Sequence, residues 1–231
     1  MRIGIITAMS SEQQQLVNLL SNKSERAEGP FNYIEGTIGD NTMILMQCGI
    51  GKVNAAAGTV ELIRNFHPDC IISTGVAGGI DTCLKVMDVV VSQHIVYHDV
   101  WCGEGNEYGQ VQGLPATFSG NGTLLKTALS LDTSTKIHSG LICTGDKFIT
   151  DRSELEVIKK NFPEGLAVDM ESGAIAQTCH LYQTPFISFR IISDTPGAEN
   201  HMEQYQNFWG EMANRSFHVT ETFLKALPTQ I

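Results

Sequence analysis

Apolar residues along this chain come in short compact runs, and these alternate with longer stretches of helical period. Arg2–Thr7 is an Ile-rich run closed by small polar residues and predicts a buried strand. Glu12–Leu20, apolar at Leu16, Val17, Leu19 and Leu20, predicts a helix. Tyr33–Ile38 and Thr42–Cys48 flank Gly39-Asp-Asn41 and predict a hairpin. Lys52–Phe66, Ala-rich at its start and stopped by Pro68, predicts a helix. Cys70–Thr74 reads as a strand followed by a loop, Gly75–Gly79, and Val86–Tyr97 as another strand. Residues 99–123 are Gly-rich and irregular, a length of structureless chain that usually carries function. Beyond them the pattern predicts a helix at Leu124–Leu131, a strand at His138–Thr144 and a helix at Glu154–Asn161. It continues with a short strand at Ala167–Asp169, a helix at Ser172–Leu181, a strand at Phe186–Ile192 and a long helix at Gln204–Leu227. This alternation, without repeats or a linker, predicts a single domain over residues 1–231: a three-layer α/β/α sandwich with a mixed central β-sheet.

Composition narrows the partners. With 42% hydrophobic and 17% charged residues the chain is not of the disordered class. Its formal net charge is −10 and its cations are scattered, which excludes a phosphate backbone or an anionic membrane surface as an expected partner. The six cysteines form no CxxC pair, and Cys48, Cys70 and Cys143 sit inside apolar runs, so free thiols are expected. The N-terminal apolar run stops at Ser10-Ser11-Glu12, too short for a secretory signal. No run approaches the ~18 apolar residues of a membrane span, so a cytoplasmic protein is expected.

In α/β folds ligands bind beyond the carboxyl ends of the strands, so the segments that follow each strand are where chemistry is sought. Here those segments carry Glu12, Gly49-Ile-Gly-Lys52, Gly75–Gly79, Phe148 with Ile149, Glu171 and Asp194. Each has a plainer reading. Glu12 and Glu171 suit helix starts, Asp194 before Thr-Pro suits a turn, and Phe148 and Ile149 suit a core. Gly49-Ile-Gly-Lys-Val-Asn54 fails the dinucleotide fingerprint at its last position. His94 and His98 have a ligand-like spacing with nothing further to complete a metal site.

Six segments in order resemble one family. Ile3-Gly-Ile-Ile-Thr-Ala-Met9 with Glu12, Gly49-Ile-Gly-Lys-Val53, Thr74-Gly-Val-Ala-Gly-Gly79, Gly145-Asp-Lys-Phe-Ile149, Ala167-Val-Asp-Met-Glu171 and Arg190-Ile-Ile-Ser-Asp194 are similar to the bacterial 5'-methylthioadenosine/S-adenosylhomocysteine nucleosidases of the nucleoside phosphorylase superfamily. The resemblance runs from residue 2 to about residue 225. It implies hydrolysis of the N9–C1' bond of these nucleosides, and of 5'-deoxyadenosine, releasing adenine without metal or cofactor. By resemblance Asp194 is the acid at adenine N7, Glu12 the base for water and Glu171 the clamp on the ribose hydroxyls. Phe148 would stack on the purine, the Ile149 backbone would bond its edge, and Val168 would line the base pocket. Met170 would lie along the ribose and Arg190 behind the carboxylates. Met9, Ile50 and Tyr205 would meet the 5' group, with Ala77, Gly78 and Ser193 as further contacts. The family resemblance also implies a homodimer in which Tyr108 and Pro115 reach the neighbouring subunit's site.

Two positions depart from the family pattern: Val76, where a serine is usual, and Glu104, about where an aromatic residue walls the 5' thioether. Two alternatives follow the same fold, a futalosine-type nucleosidase and a purine nucleoside phosphorylase. The latter needs a cationic cradle for phosphate, whereas the loop after the first strand offers the carboxylate of Glu12. A non-catalytic nucleoside sensor is disfavoured by retention of all three carboxylates.

Overall fold

Alternation within the first strand sets the layering. Ile3 and Ile5 point to one side, while Ile6 points to the other and Gly4 meets Leu62 there. The computed structural model of the chain describes residues 1–231, with the side chains of residues 211, 212 and 214–216 left out of the description. In chain order the elements are β1 (Arg2–Thr7), α1 (Ser10–Val17), β2 (Ser21–Glu28), β3 (Phe31–Ile38), β4 (Asn41–Gln47), α2 (Lys52–Phe66) and β5 (Cys70–Gly79). They continue with β6 (Val89–Tyr97), β7 (Phe118–Ser119), α3 (Gly122–Leu129), β8 (Ile137–Thr144), α4 (Arg152–Asn161) and β9 (Gly165–Asp169). α5 (Ser172–Tyr182), β10 (Phe186–Asp194), α6 (His201–Asn207), a π-helical turn at Phe208–Met212 and α7 (Ala213–Ala226) complete the chain.

The central sheet is mixed, as the sequence pattern predicts, and its helices cover both faces. One wing runs β5-β1-β4-β3-β2; on the other side β5, β10, β6, β8 and β9 close on themselves, because β5 pairs with both β10 and β9. β5 is the hinge of this arrangement. Along one edge it pairs with β10 from Ile71 to Gly78. Along the other it pairs with β1 only at Cys70–Ser73 and with β9 only at Gly78 and Gly79. β1 and β9 therefore diverge at Thr74–Ala77 and leave a fork. Leu16, Leu124, Phe217 and Phe223 of α1, α3 and α7 fill one face, where Phe223 stacks on Phe189 of β10 with ring centres 4.7 Å apart. Leu62, Phe66 and Ile175 of α2 and α5 fill the other, and Ile158 of α4 packs on Val96 and Val168.

Four expectations are revised. β2 was not predicted: as an outer strand with Lys23, Ser24, Glu25 and Arg26 exposed, it carries no apolar period to detect. β5 does not stop at Thr74. It continues through the glycines to Gly79, since β10 supplies a ladder as far as Gly78 and β9 pairs with Gly78 and Gly79. The long final helix is two helices, α6 and α7, separated by the π-helical turn. The stretch 99–123, expected to be irregular, also contains β7 and the start of α3. Among the described residues no helix is long and apolar enough to cross a membrane. All six cysteines are unpaired, with Cys48, Cys70, Cys143 and Cys179 buried.

Gly4 of β1 faces Leu62 of α2, and an added Cβ would stand 2.5 Å from Leu62 Cδ2 and 3.3 Å from Ile71 Cγ1. Gly4→Val should therefore lower the urea unfolding midpoint, by about 1–3 kcal/mol in stability. An unchanged midpoint would show that α2 has slack against the sheet.

Candidate active site

The fork beside β5 opens into a cavity of about 380 Å³, reached by the chain ends of β1, β5, β8, β9 and β10. Its first carboxylate arrives because α1 begins directly after β1. Glu12 lies in the first turn of α1 and folds back, its Oε2 accepting from the backbone N–H of Ala8 at 2.9 Å and of Met9 at 3.0 Å. Its Oε1 accepts from the N–H of Val76 at 3.0 Å, within the stretch of β5 from which β1 has already diverged. Gly75 makes room: a Cβ there would collide with both the Glu12 carboxylate and the Arg190 guanidinium. The helix-start role and the cavity role of Glu12 thus coexist in one geometry.

Glu171 stands at the junction of β9 and α5. It does not bond to its own helix; Oε1 instead accepts from the N–H of Gly51 at 2.9 Å. Gly51 has φ of +94°, a backbone conformation that glycine adopts without strain. Behind both glutamates lies Arg190, buried in the middle of β10. Its Nε is 2.9 Å from Asp169 Oδ2, its Nη2 donates to Ser73 Oγ at 2.8 Å and to Ser172 Oγ at 3.1 Å, and Nη2 stands 3.9 Å from Glu171 Oε2. Asp169 is held in turn by Thr144 Oγ1 at 2.6 Å and by the Ser172 N–H at 3.2 Å.

Burial dominates the electrostatics. It raises the proton affinity of Glu12, with Arg190 and the three backbone donors pulling the other way. Burial likewise pushes Glu171 up to about 7; Arg190 opposes this, while the charges of Asp169 and Glu12 add to it. Burial works against the charge of Arg190 as well, but Asp169, Glu171 and Glu12 outweigh it and leave its proton more tightly held. Asp194 closes the other side of the cavity at the end of β10. Its Oδ1 accepts from Ser193 Oγ at 2.5 Å, and its Oδ2 is 2.7 Å from Nε2 of His201, the first residue of α6.

The cavity brings together most of the residues that the sequence singles out. Glu12, Glu171 and Asp194 line it, with Met9 and Ile50 beside the glutamates. Ala77 and Gly78 come from β5, Val168 and Met170 from β9, and Ser193 from β10. Phe148 and Ile149 come from the segment after β8, and Tyr205 of α6 stands with its ring centre 5.4 Å from that of Phe148. Val76 lines the same space. Arg190 lies behind the lining. Tyr108 and Pro115 are elsewhere: Tyr108 stacks on Trp101, and Pro115 borders a separate cavity beside Phe118 and His180. Glu104 is exposed. Sequence reasoning missed Asp169, His201 and Lys147. Asp169 lies within the Ala167–Glu171 segment, and its signal is a buried acid beside the buried Arg190. His201 had no signal, since it follows a polar stretch without periodicity. Among the described residues no group of three His, Cys, Asp or Glu side chains is placed to hold a metal ion.

Comparison with known proteins is consistent over nearly the whole chain. The profile of the Phosphorylase superfamily matches residues 2–225. The 5'-methylthioadenosine/S-adenosylhomocysteine nucleosidase of Chromohalobacter salexigens is 38% identical over 232 aligned residues, covering 99% of this chain and 98% of that protein. The crystal structure of the corresponding nucleosidase from Colwellia psychrerythraea, in complex with adenine, superposes with a TM-score of 0.93 at 35% identity, covering 100% of this chain and 97% of that one. The nucleosidase of Streptococcus pneumoniae with a transition-state inhibitor gives a TM-score of 0.93 at 37% identity, covering 99% of this chain and 100% of that one.

Because the folded chain holds the Glu171 proton more tightly than an unfolded chain would, raising the pH from 4.5 to about 7 destabilises the fold through this group. Glu171→Gln removes that penalty. The melting temperature of the variant relative to the parent should therefore climb across this interval and level off above it, by the equivalent of about 3 kcal/mol at most. A difference that stays flat with pH would contradict a raised Glu171.

Proposed function

The chain belongs to the Phosphorylase superfamily and, within it, to the 5'-methylthioadenosine/S-adenosylhomocysteine nucleosidases, and from that membership we propose how this N-glycosyl hydrolase works on those two nucleosides. The bond cleaved is N9–C1', with adenine and the 5-thioribose as products; 5'-deoxyadenosine presents the same bond. The observation that carries this reading is the convergence of Glu12, Glu171 and Asp194 on one cavity of nucleoside size that Phe148 also lines.

Cleavage leaves negative charge on the purine and an oxocarbenium-like centre at C1'. Asp194 delivers a proton to N7 and so turns adenine into a neutral leaving group. Its second oxygen accepts from the exocyclic amino group; a 6-oxo purine would turn an acceptor toward that oxygen, which selects adenine. Glu12 takes a proton from the attacking water. Glu171, ionised, accepts from the ribose hydroxyls, and the two glutamates together stabilise the cationic sugar. Phe148 stacks on the base and the Ile149 backbone bonds its edge, with Val168, Ala77, Gly78 and Ser193 around it. Met170 lies along the ribose, and Met9, Ile50 and Tyr205 meet the 5' substituent.

Water rather than phosphate fits the attacking position. Arg190, the cation behind the two glutamates, is buried and already bound to Asp169, and Lys147 at the cavity is bound to Glu154, so an incoming phosphate would face Glu12. Tyr108 and Pro115, outside this chain's own cavity, are assigned to the site of a second copy in a homodimer.

Purified protein should release adenine from 5'-methylthioadenosine at the same rate with and without phosphate; a strict phosphate requirement would make it a phosphorylase. A panel of substrates differing only at the 5' position ranks the thioether, homocysteinyl and deoxy groups and tests the bulkier futalosine type. Asp194→Asn and Glu12→Gln should each lower kcat by about 10²–10⁴-fold while adenine still binds. Near-parental turnover in either variant removes that residue from its role.

A further inference from the structure

No motif points to His201, yet it is placed against the group assigned as the acid. It is 4% exposed, and its Nε2 lies 2.7 Å from Asp194 Oδ2, while the Ser193 hydroxyl donates to Oδ1 at 2.5 Å. Its ring leans on Phe148 with centroids 5.5 Å apart. The connection from β10 is folded back to hold it there. Thr195 N–H donates to Gln204 Oε1 at 2.8 Å, and the His201 N–H donates to the Ala198 carbonyl at 3.1 Å. When Asp194 gives up its proton, a carboxylate forms in a site with little water. A buried carboxylate is costly unless hydrogen-bond donors already face it.

We propose that His201 is the positioning residue of the acid: it donates Nε2–H to Asp194 Oδ2 and, with the Ser193 hydroxyl, stabilises the carboxylate that forms during turnover. This inference rests on the reading of Asp194 as the acid. In the step concerned, the O–H bond of Asp194 breaks and N7–H forms. The C1'–N9 bond breaks with its electron pair moving into the purine, and His201 keeps its own proton. The same contact fixes the plane of the carboxyl group, and the Phe148 contact fixes the imidazole, so one side chain ties the acid to the aromatic wall. Among the described residues, the other ionisable groups lining this cavity are Tyr205 on α6, Glu12 from α1, and Lys147, Asp169 and Glu171. Substitution at 201 leaves all of them in place.

His201→Phe keeps a flat ring against Phe148 but has no N–H, whereas His201→Gln keeps an N–H donor. Hydrolysis of 5'-methylthioadenosine should lose about 10- to 100-fold in kcat in the Phe variant, with KM moved by less than about threefold, and the Gln variant should recover much of that loss. Loss of the donor makes the carboxylate harder to form, so the alkaline limb of the kcat/KM profile should move to higher pH in the Phe variant and stay at the parental position in the Gln variant. Asp194→Asn is measured alongside. If it turns over like the parent, the acid assignment itself fails. If it is inactive while both His201 variants match the parent in kcat and pH profile, the role of His201 is overturned and the acid assignment stands. Equal losses in the Phe and Gln variants with an unmoved alkaline limb also overturn it, leaving a packing role. Should the Phe variant not fold, His201→Leu set against His201→Gln decides by the same criteria.

Discussion

One guanidinium holds this site together. Arg190 is buried in the middle of a strand, bound to Asp169 and close to Glu171, and it also moderates the proton affinity of Glu12. Without a cation, several carboxylates gathered away from water would take up protons or drive the site apart. A single cation among them does not neutralise the set, so an excess of negative charge remains on the cavity side. That excess is what a cationic sugar requires and what a phosphate would avoid. Such a buried set adds little net stability, since removing one partner typically costs about 3–5 kcal/mol while the intact set gains little over an apolar replacement.

The sheet explains how the charges reach one place. β5 changes partner along its length, from β1 to β9, and the backbone between the two pairings is free to receive a side chain. Glu12 uses that opening through the Val76 amide, and the glycine at position 75 leaves the space for it. β10 runs along the opposite edge of β5, with one register irregularity between Ile192 and Asp194, carrying Phe189 into the core, Arg190 behind the site and Asp194 to its rim. A slip of one residue in that register would exchange the core face for the charged one.

Most of the elements were legible because their burial follows a simple period. α2 matches the Lys52–Phe66 reading, its Ala-rich start and the following Pro68 marking both ends. β2 was invisible for the opposite reason, since nothing along it is buried enough to impose a pattern. The sequence pattern ends β5 too early because glycines mark turns more often than ladders. For the cavity, the ordered motifs named the lining residues, but each residue alone had an equally good local explanation. The contacts that couple them, Asp169 with Arg190 and His201 with Asp194, join positions by geometry that no local pattern encodes.

β2 has a consequence beyond its own pairing. It presents Lys23, Glu25 and Arg26 to solvent along the free margin of a sheet that is sealed on its other flank. A foreign strand adding itself there would have to strip water from alternating charges to gain a ladder of backbone bonds. The chain thereby discourages uncontrolled growth by strand addition at this margin, and polar composition there serves colloidal stability.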